Sequence, residues 1–116
     1  MVTSKTCSEM QKQVDDYIGQ FKEGYFSPLA QLARLTEELG ELAREINHYY
    51  GEKTKKPTEK PRSLEEEVGD LFFVLICLAN SLHIDLGKSL DEVMDKFNSR
   101  DRNRWTRIDK EGEALD

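Results

Sequence analysis

Apolar residues recur along this chain at spacings of three and four, the period of a helix with one buried stripe. Met10, Val14, Tyr17 and Phe21 make the first run, after the capping box Thr6-Cys7-Ser8-Glu9. A first helix is predicted from Cys7 to Lys22, closed by Gly24. Ser27-Pro28 opens the second, with proline at the first helical position. Leu32, Leu35, Leu39, Leu42, Ile46 and Tyr49 carry it from Pro28 to Tyr50, and Gly51 stops it. Ser63-Leu64-Glu65-Glu66 is another capping box, and Leu64, Val68, Leu71, Leu75, Leu78 and Leu82 predict a third helix from Leu64 to Leu82. Ser89-Leu90-Asp91-Glu92 opens the fourth, in which Leu90, Val93, Met94 and Phe97 lead to Arg102. No strand alternation and no internal repeat interrupts the pattern. The expectation is an all-α chain, a four-helix bundle over residues 1–105 with a polar, disordered tail at 106–116. Residues 52–62, with two prolines and five basic residues against two acids, are expected to be a mobile polar loop.

Length changes this picture little: 116 residues fit one domain. A chain so short buries a modest share of its surface, so partner copies are expected to complete the core. The longest apolar run, Leu71 to Ala79, is nine residues, too short to span a bilayer. Neither a secretory leader nor a membrane segment is expected. Cys7 and Cys77 form neither a disulfide framework nor a zinc site, which agrees with a reducing, cytoplasmic location. The net charge of −6 excludes an overall basic footprint for nucleic acid.

Where the acid falls matters more than its amount. On a wheel of about 100° per residue, Glu37, Glu38, Glu41 and Glu45 share an arc beside the apolar one of the second helix. A solvated acidic face, offset by Arg34 and Arg44, explains this helix alone. The third helix argues otherwise. Glu65, Glu66 and Glu67 lie in its first turn, where the helix dipole favours anions. Asp70 lies a turn further in, and Asp is a poor interior helix former. Glu67 and Asp70 share an arc with Val74, Cys77 and Leu78, so their stripe is expected to be buried. Carboxylates pointing into a bundle must be paired, protonated or bound to metal. No Lys or Arg occurs between Ser63 and Asp85. Convergence of Glu38 and Glu41 with Glu67 and Asp70 therefore points to a cation, and all-oxygen ligands suit Mg²⁺ or Mn²⁺.

The spacing itself carries a resemblance. Glu37-Glu38-Leu39-Gly40-Glu41 fits EExxE, and Glu67-Val68-Gly69-Asp70 fits ExxD on the next helix. Together they resemble the signature of the MazG-like nucleotide pyrophosphohydrolases, of the all-α NTP pyrophosphatase superfamily, in its short single-domain bacterial form. The resemblance spans Met10 to Trp105. It implies that Glu38, Glu41, Glu67 and Asp70 hold Mg²⁺, with Mn²⁺ as a possible substitute, and that Glu37 touches a second metal or positions water. It implies cleavage of a nucleoside triphosphate to the monophosphate and pyrophosphate, and a homodimer or homotetramer. Lys96, Asn98, Arg100 and Arg102 resemble the family's phosphate-contacting cluster after the fourth helix, although Asp101 interrupts their charge. Glu37 or Glu38 is the candidate base.

Other readings stay open at this point. Tyr17, Phe21, Tyr25 and Phe26 could stack a base or form a small hydrophobic cluster. Glu45-Ile46-Asn47-His48 fits the ExxH of a di-metal carboxylate bundle, but the third helix offers ExxD where a second ExxH is needed. A non-catalytic helical interaction module would use the acidic stripe to dock a basic partner.

Overall fold

A computed structural model describes residues 4–51 and 64–108. They form four helices and no strand: α1 (Cys7–Ile18), α2 (Pro28–Tyr50), α3 (Leu64–Ser81) and α4 (Leu86–Ser99). Among the described residues no single helix is long and apolar enough to cross a membrane. The chain divides into two compact units, Met1–Asp85 and Leu86–Asp116.

In the first unit α1 and α2 each pack against α3. α1 begins with its capping box, the Glu9 amide bonding the Thr6 hydroxyl at 3.0 Å and the Thr6 amide bonding the Glu9 carboxylate at 2.7 Å. These bonds hold the Glu9 carboxyl below its ordinary pKa. The helix ends at Ile18, four residues before the predicted Lys22. Gly19 caps it, and Gln20 and Phe21 tighten into bonds three residues back. Gly24, at φ 62°, then turns the chain towards α2. Ser27 caps α2 through the Ala30 amide, as the Ser27-Pro28 pair predicts.

The seam between α2 and α3 is a correction to the wheel. The positions of α2 that lose most exposure are Gln31, Leu35, Glu38, Leu42, Glu45 and His48. Through Glu45 they alternate polar and apolar, and all six follow at spacings of three and four. Gln31 and Glu45 are 3% and 4% exposed, while Leu32 and Leu39 of the expected core stripe remain 52% and 55% exposed. The helix is thus rotated so that one edge of its leucine arc and one edge of its acidic arc share the seam. α3 supplies the buried apolar core, Val74, Ile76, Cys77 and Ala79. Its other faces carry apolar side chains that are exposed among the described residues, Val68, Phe72 and Leu75.

α3 ends in a Schellman motif. The Ile84 amide bonds Ala79 O at 2.8 Å and the His83 amide bonds Asn80 O at 3.1 Å. His83 takes the left-handed position, φ 59°, usually given to glycine. α4 starts at Leu86, before the predicted Leu90, and stops at Ser99 rather than Arg102. Asp85, a preferred capping residue type, stands just before it, so the Ser89 box falls inside the helix. The Ser63 cap, the loop 52–62 and tail residues 109–116 lie outside the described residues.

Candidate functional site

Three carboxylates meet in the α2–α3 seam. Glu38, Glu67 and Asp70 each offer an oxygen, and these oxygens lie within 4.8 Å of one another. Helical spacing puts them there: Glu67 and Asp70 are one turn apart on α3, and Glu38 faces them from the seam of α2. Glu67 is fully buried, and Glu38 and Asp70 are half-buried. Two unit charges 4.8 Å apart repel by about 3 kcal/mol at an effective dielectric of about 20. Ionised carboxylates only accept hydrogen bonds, so they cannot satisfy one another. Arg34 gives a partial offset, its guanidinium 3.8 Å from the Glu38 carboxylate one turn along α2. The donor set is all oxygen, compact and anionic, which fits a hard divalent cation such as Mg²⁺ or Mn²⁺.

The remaining sequence-predicted residues fall as follows. Glu37 and Glu41 sit on the exposed side of α2, and Glu41 does not join the cluster at that separation. Lys96, Asn98, Arg100 and Arg102 are all exposed, at the end of α4 and just beyond it, in the second unit. Lys96 lies over the Phe97 ring and Arg100 pairs with Asp101 at 3.4 Å. Glu45 and His48 are drawn into the α2 seam, apart from the carboxylate cluster.

Two further features escaped sequence reasoning. The first is a small cavity of about 80 Å³ one turn from the carboxylates, lined by Tyr25, Phe26, Gln31, Arg34, Phe73 and Cys77 among others. Burial pushes the Cys77 thiol above its ordinary pKa, in keeping with a core role. Of the four aromatics singled out in the sequence, Tyr25 and Phe26 reach this cavity. Tyr17 stacks edge-on with Phe21 and with Phe73.

The second is a polar network at the far end of α3. The Gln11 side-chain amide donates to Asn80 Oδ1 at 2.9 Å and to Ile84 O at 2.8 Å. Asn80 Nδ2 donates to Gln11 O and to the Tyr25 hydroxyl, which donates in turn to Asp15 at 2.7 Å. Burial, and then the bond to Asp15, push the Tyr25 hydroxyl up to about 12. An open groove of about 800 Å³ runs over this network. Single Gln, Asn and Tyr residues inside helical runs give no sequence signal for such a network.

Comparison with known proteins bears on the whole of this arrangement. The model of the MazG nucleotide pyrophosphohydrolase domain matches residues 26–105. The uncharacterized protein YpjD of Bacillus subtilis is 67% identical over 91% of this chain and 96% of its own length. The nucleoside triphosphate pyrophosphohydrolase/pyrophosphatase MazG of Thermotoga maritima is 28% identical over 92% of this chain, which spans 37% of that longer protein. The crystal structure of Bacillus subtilis YpjD superposes with a TM-score of 0.76 at 66% identity, covering 84% of this chain and 100% of that one. The crystal structure of the Bacillus-conserved MazG protein, a nucleotide pyrophosphohydrolase, gives 0.75 at 64% identity, covering 85% and 96%. With the helices, the paired acidic motifs and these matches in agreement, the chain belongs to the MazG nucleotide pyrophosphohydrolase family.

Proposed function

We propose that this protein is a cytosolic, Mg²⁺-dependent hydrolase that converts nucleoside or deoxynucleoside triphosphates to the monophosphate and pyrophosphate, in the service of nucleotide-pool housecleaning. The observation that carries the proposal is the meeting of Glu38, Glu67 and Asp70 within 4.8 Å, with Glu67 fully buried. In this reading they hold the cation together with Glu41, and Mn²⁺ can replace Mg²⁺. Bound there, the cation supplies charge neutralisation on the phosphate oxygens and a more acidic water. Glu37 or Glu38 accepts a proton from the attacking water. Lys96, Asn98, Arg100 and Arg102 hold the outer phosphates.

Self-association belongs to the same reading. Leu32, Leu39 and Ile46 on α2, with Val68, Phe72 and Leu75 on α3, are apolar stripes that this chain leaves exposed. A homodimer or homotetramer would cover them.

The experiment is to incubate the protein with each NTP and dNTP in Mg²⁺ and to measure pyrophosphate and orthophosphate separately, with Asp70→Asn alongside. Pyrophosphate plus monophosphate, lost in the variant, is the expected result. Orthophosphate plus diphosphate would move the cleavage site, and full activity in Asp70→Asn would overturn the site.

A further inference from the structure

One of the residues lining the small cavity beside the carboxylates carries a hydrogen-bond acceptor with no partner among the described residues. Gln31 lines it and is 3% exposed. The amide cannot be turned over. Its Nε2 donates to Phe26 O at 2.6 Å, and a backbone carbonyl can only accept. Nε2 also donates to the Ser81 hydroxyl at 3.2 Å, whose own proton goes to Leu78 O at 2.9 Å. Both neighbours therefore require the nitrogen where it stands, and the orientation follows from the network. Gln31 Oε1 is left buried, with no hydrogen bond among the described residues. A buried acceptor in a native fold is normally satisfied, and one left open beside a cavity invites a donor.

The walls say what kind of donor. Tyr25, Phe26 and Phe73 present aromatic rings, and the Tyr25 hydroxyl is turned away into its bonds with Asp15 and Asn80. The volume, about 80 Å³, is about half of the ~150 Å³ apolar cavity that encloses a benzene ring, so the edge of a planar ring enters and the rest projects out. Arg34 lines the cavity and also approaches Glu38 of the cluster, and Val74 of the cavity lies one turn beyond Asp70. A flat ring bound here thus sits next to the proposed phosphate chemistry.

We propose that this cavity receives the pairing edge of the nucleotide base and that Gln31 Oε1 selects bases carrying an exocyclic amino group there. Cytosine offers N4 and adenine N6 as donors, whereas uracil and thymine present a carbonyl oxygen at that place. Two acceptors facing each other leave both unpaired, and a polar site rejects such an analogue strongly. The inference rests on the nucleotide-hydrolase reading of the neighbouring carboxylates.

The test uses matched pairs that differ only in amine against carbonyl: dCTP with dUTP, and dATP with dITP. The full chain is assayed for pyrophosphate release in Mg²⁺, and binding of dCMP and dUMP is measured by calorimetry in EDTA. At least one amino-bearing member is expected to exceed its partner in kcat/KM by about 10- to 100-fold, and the pair that does so tells cytosine from adenine. In Gln31→Met that ratio is expected to fall to about one, whereas a merely structural role would lower both members together and keep the ratio. Hydrolysis of all four at equal efficiency by the wild-type protein overturns the base selection but leaves the hydrolase reading intact. A ratio unchanged in Gln31→Met overturns the role of Gln31. No hydrolysis of any nucleotide overturns both readings. The wild-type ratio and the metal-free binding decide the matter even where the variant fails to fold.

Discussion

At its N-terminal end α3 gives Glu67 and Asp70 to a group of carboxylates with Glu38. At its C-terminal end it gives Asn80 and Ser81 to a network with Gln11, Tyr25 and Gln31. Both ends withdraw polar side chains from water, and the chemistry of the groups separates them. Amides and hydroxyls both donate and accept, so the far end closes most of its bonds within the chain. Ionised carboxylates only accept, and three together repel. Complementary groups hold helices in place, and like groups at the same depth make a site for something positively charged.

The widest separation between the two ends comes from exchanging one atom of Asp70. Asp70→Asn is expected to reduce pyrophosphate release by well over a hundredfold, since even indirect supports of a metal site cost about 10- to 100-fold. In EDTA the same variant is expected to melt at a higher temperature than the wild type, because one of three crowded negative charges is gone. Added Mg²⁺ should raise the melting temperature of the wild type and leave the variant nearly unmoved. Lower stability of the variant in EDTA would mean that the carboxylates hold the fold together.

Asn80→Ala should do the reverse. It removes three hydrogen bonds, at an expected cost of about 2 kcal/mol in denaturant unfolding. The Mg²⁺-induced rise in melting temperature should survive it. Loss of that rise would join the two ends into one cooperative site.

Tyr25→Phe is a finer cut through the same network, expected to cost about 1 kcal/mol near neutral pH. Its pH dependence has a definite sign. The folded state holds the phenol proton up to about 12, against an ordinary value of 10.0. The folded chain therefore binds this proton more tightly than the unfolded chain. Its contribution is whole below pH 10 and is lost as pH rises through 12. The stability gap between wild type and Tyr25→Phe should narrow across that window.

The smallest effect is expected at the end of α3. His83 occupies a left-handed position at φ 59°, and glycine there avoids a steric cost of about 1 kcal/mol. His83→Gly should stabilise the chain by up to that amount.

Helix number, the α2 limits and the first capping box were legible in the sequence because local chemistry sets them. The paired acidic motifs were legible as well, and their spacing alone places Glu67 and Asp70 one turn apart. The rotation of α2 was not. Its leucine and glutamate arcs touch, and a wheel cannot tell which edge meets α3 when partner surfaces also want leucine. Glu38 therefore entered the seam while Leu32 and Leu39 stayed outside. The α1 end was missed because Phe21 keeps the helical spacing through a turn that Gly19 has already tightened. The α4 start was missed because Gly87 weakens the first turn and Ser89 imitates a cap. The hydrogen-bonding roles of Gln31, Asn80 and Tyr25 were illegible, since each depends on residues up to 69 positions away.

That separation has a consequence for how the chain is made. α1 and α2 both dock on α3, yet α3 is synthesised after them. At about 5–20 residues per second, the ribosome keeps α1 waiting several seconds for the asparagine that ties it down. Until then the early helices present their leucines and aromatics to solvent without a shared core. A nascent chain paused short of Asn80 should be open to proteases and chaperones. Once Asn80 has cleared the exit tunnel, the three helices can close together.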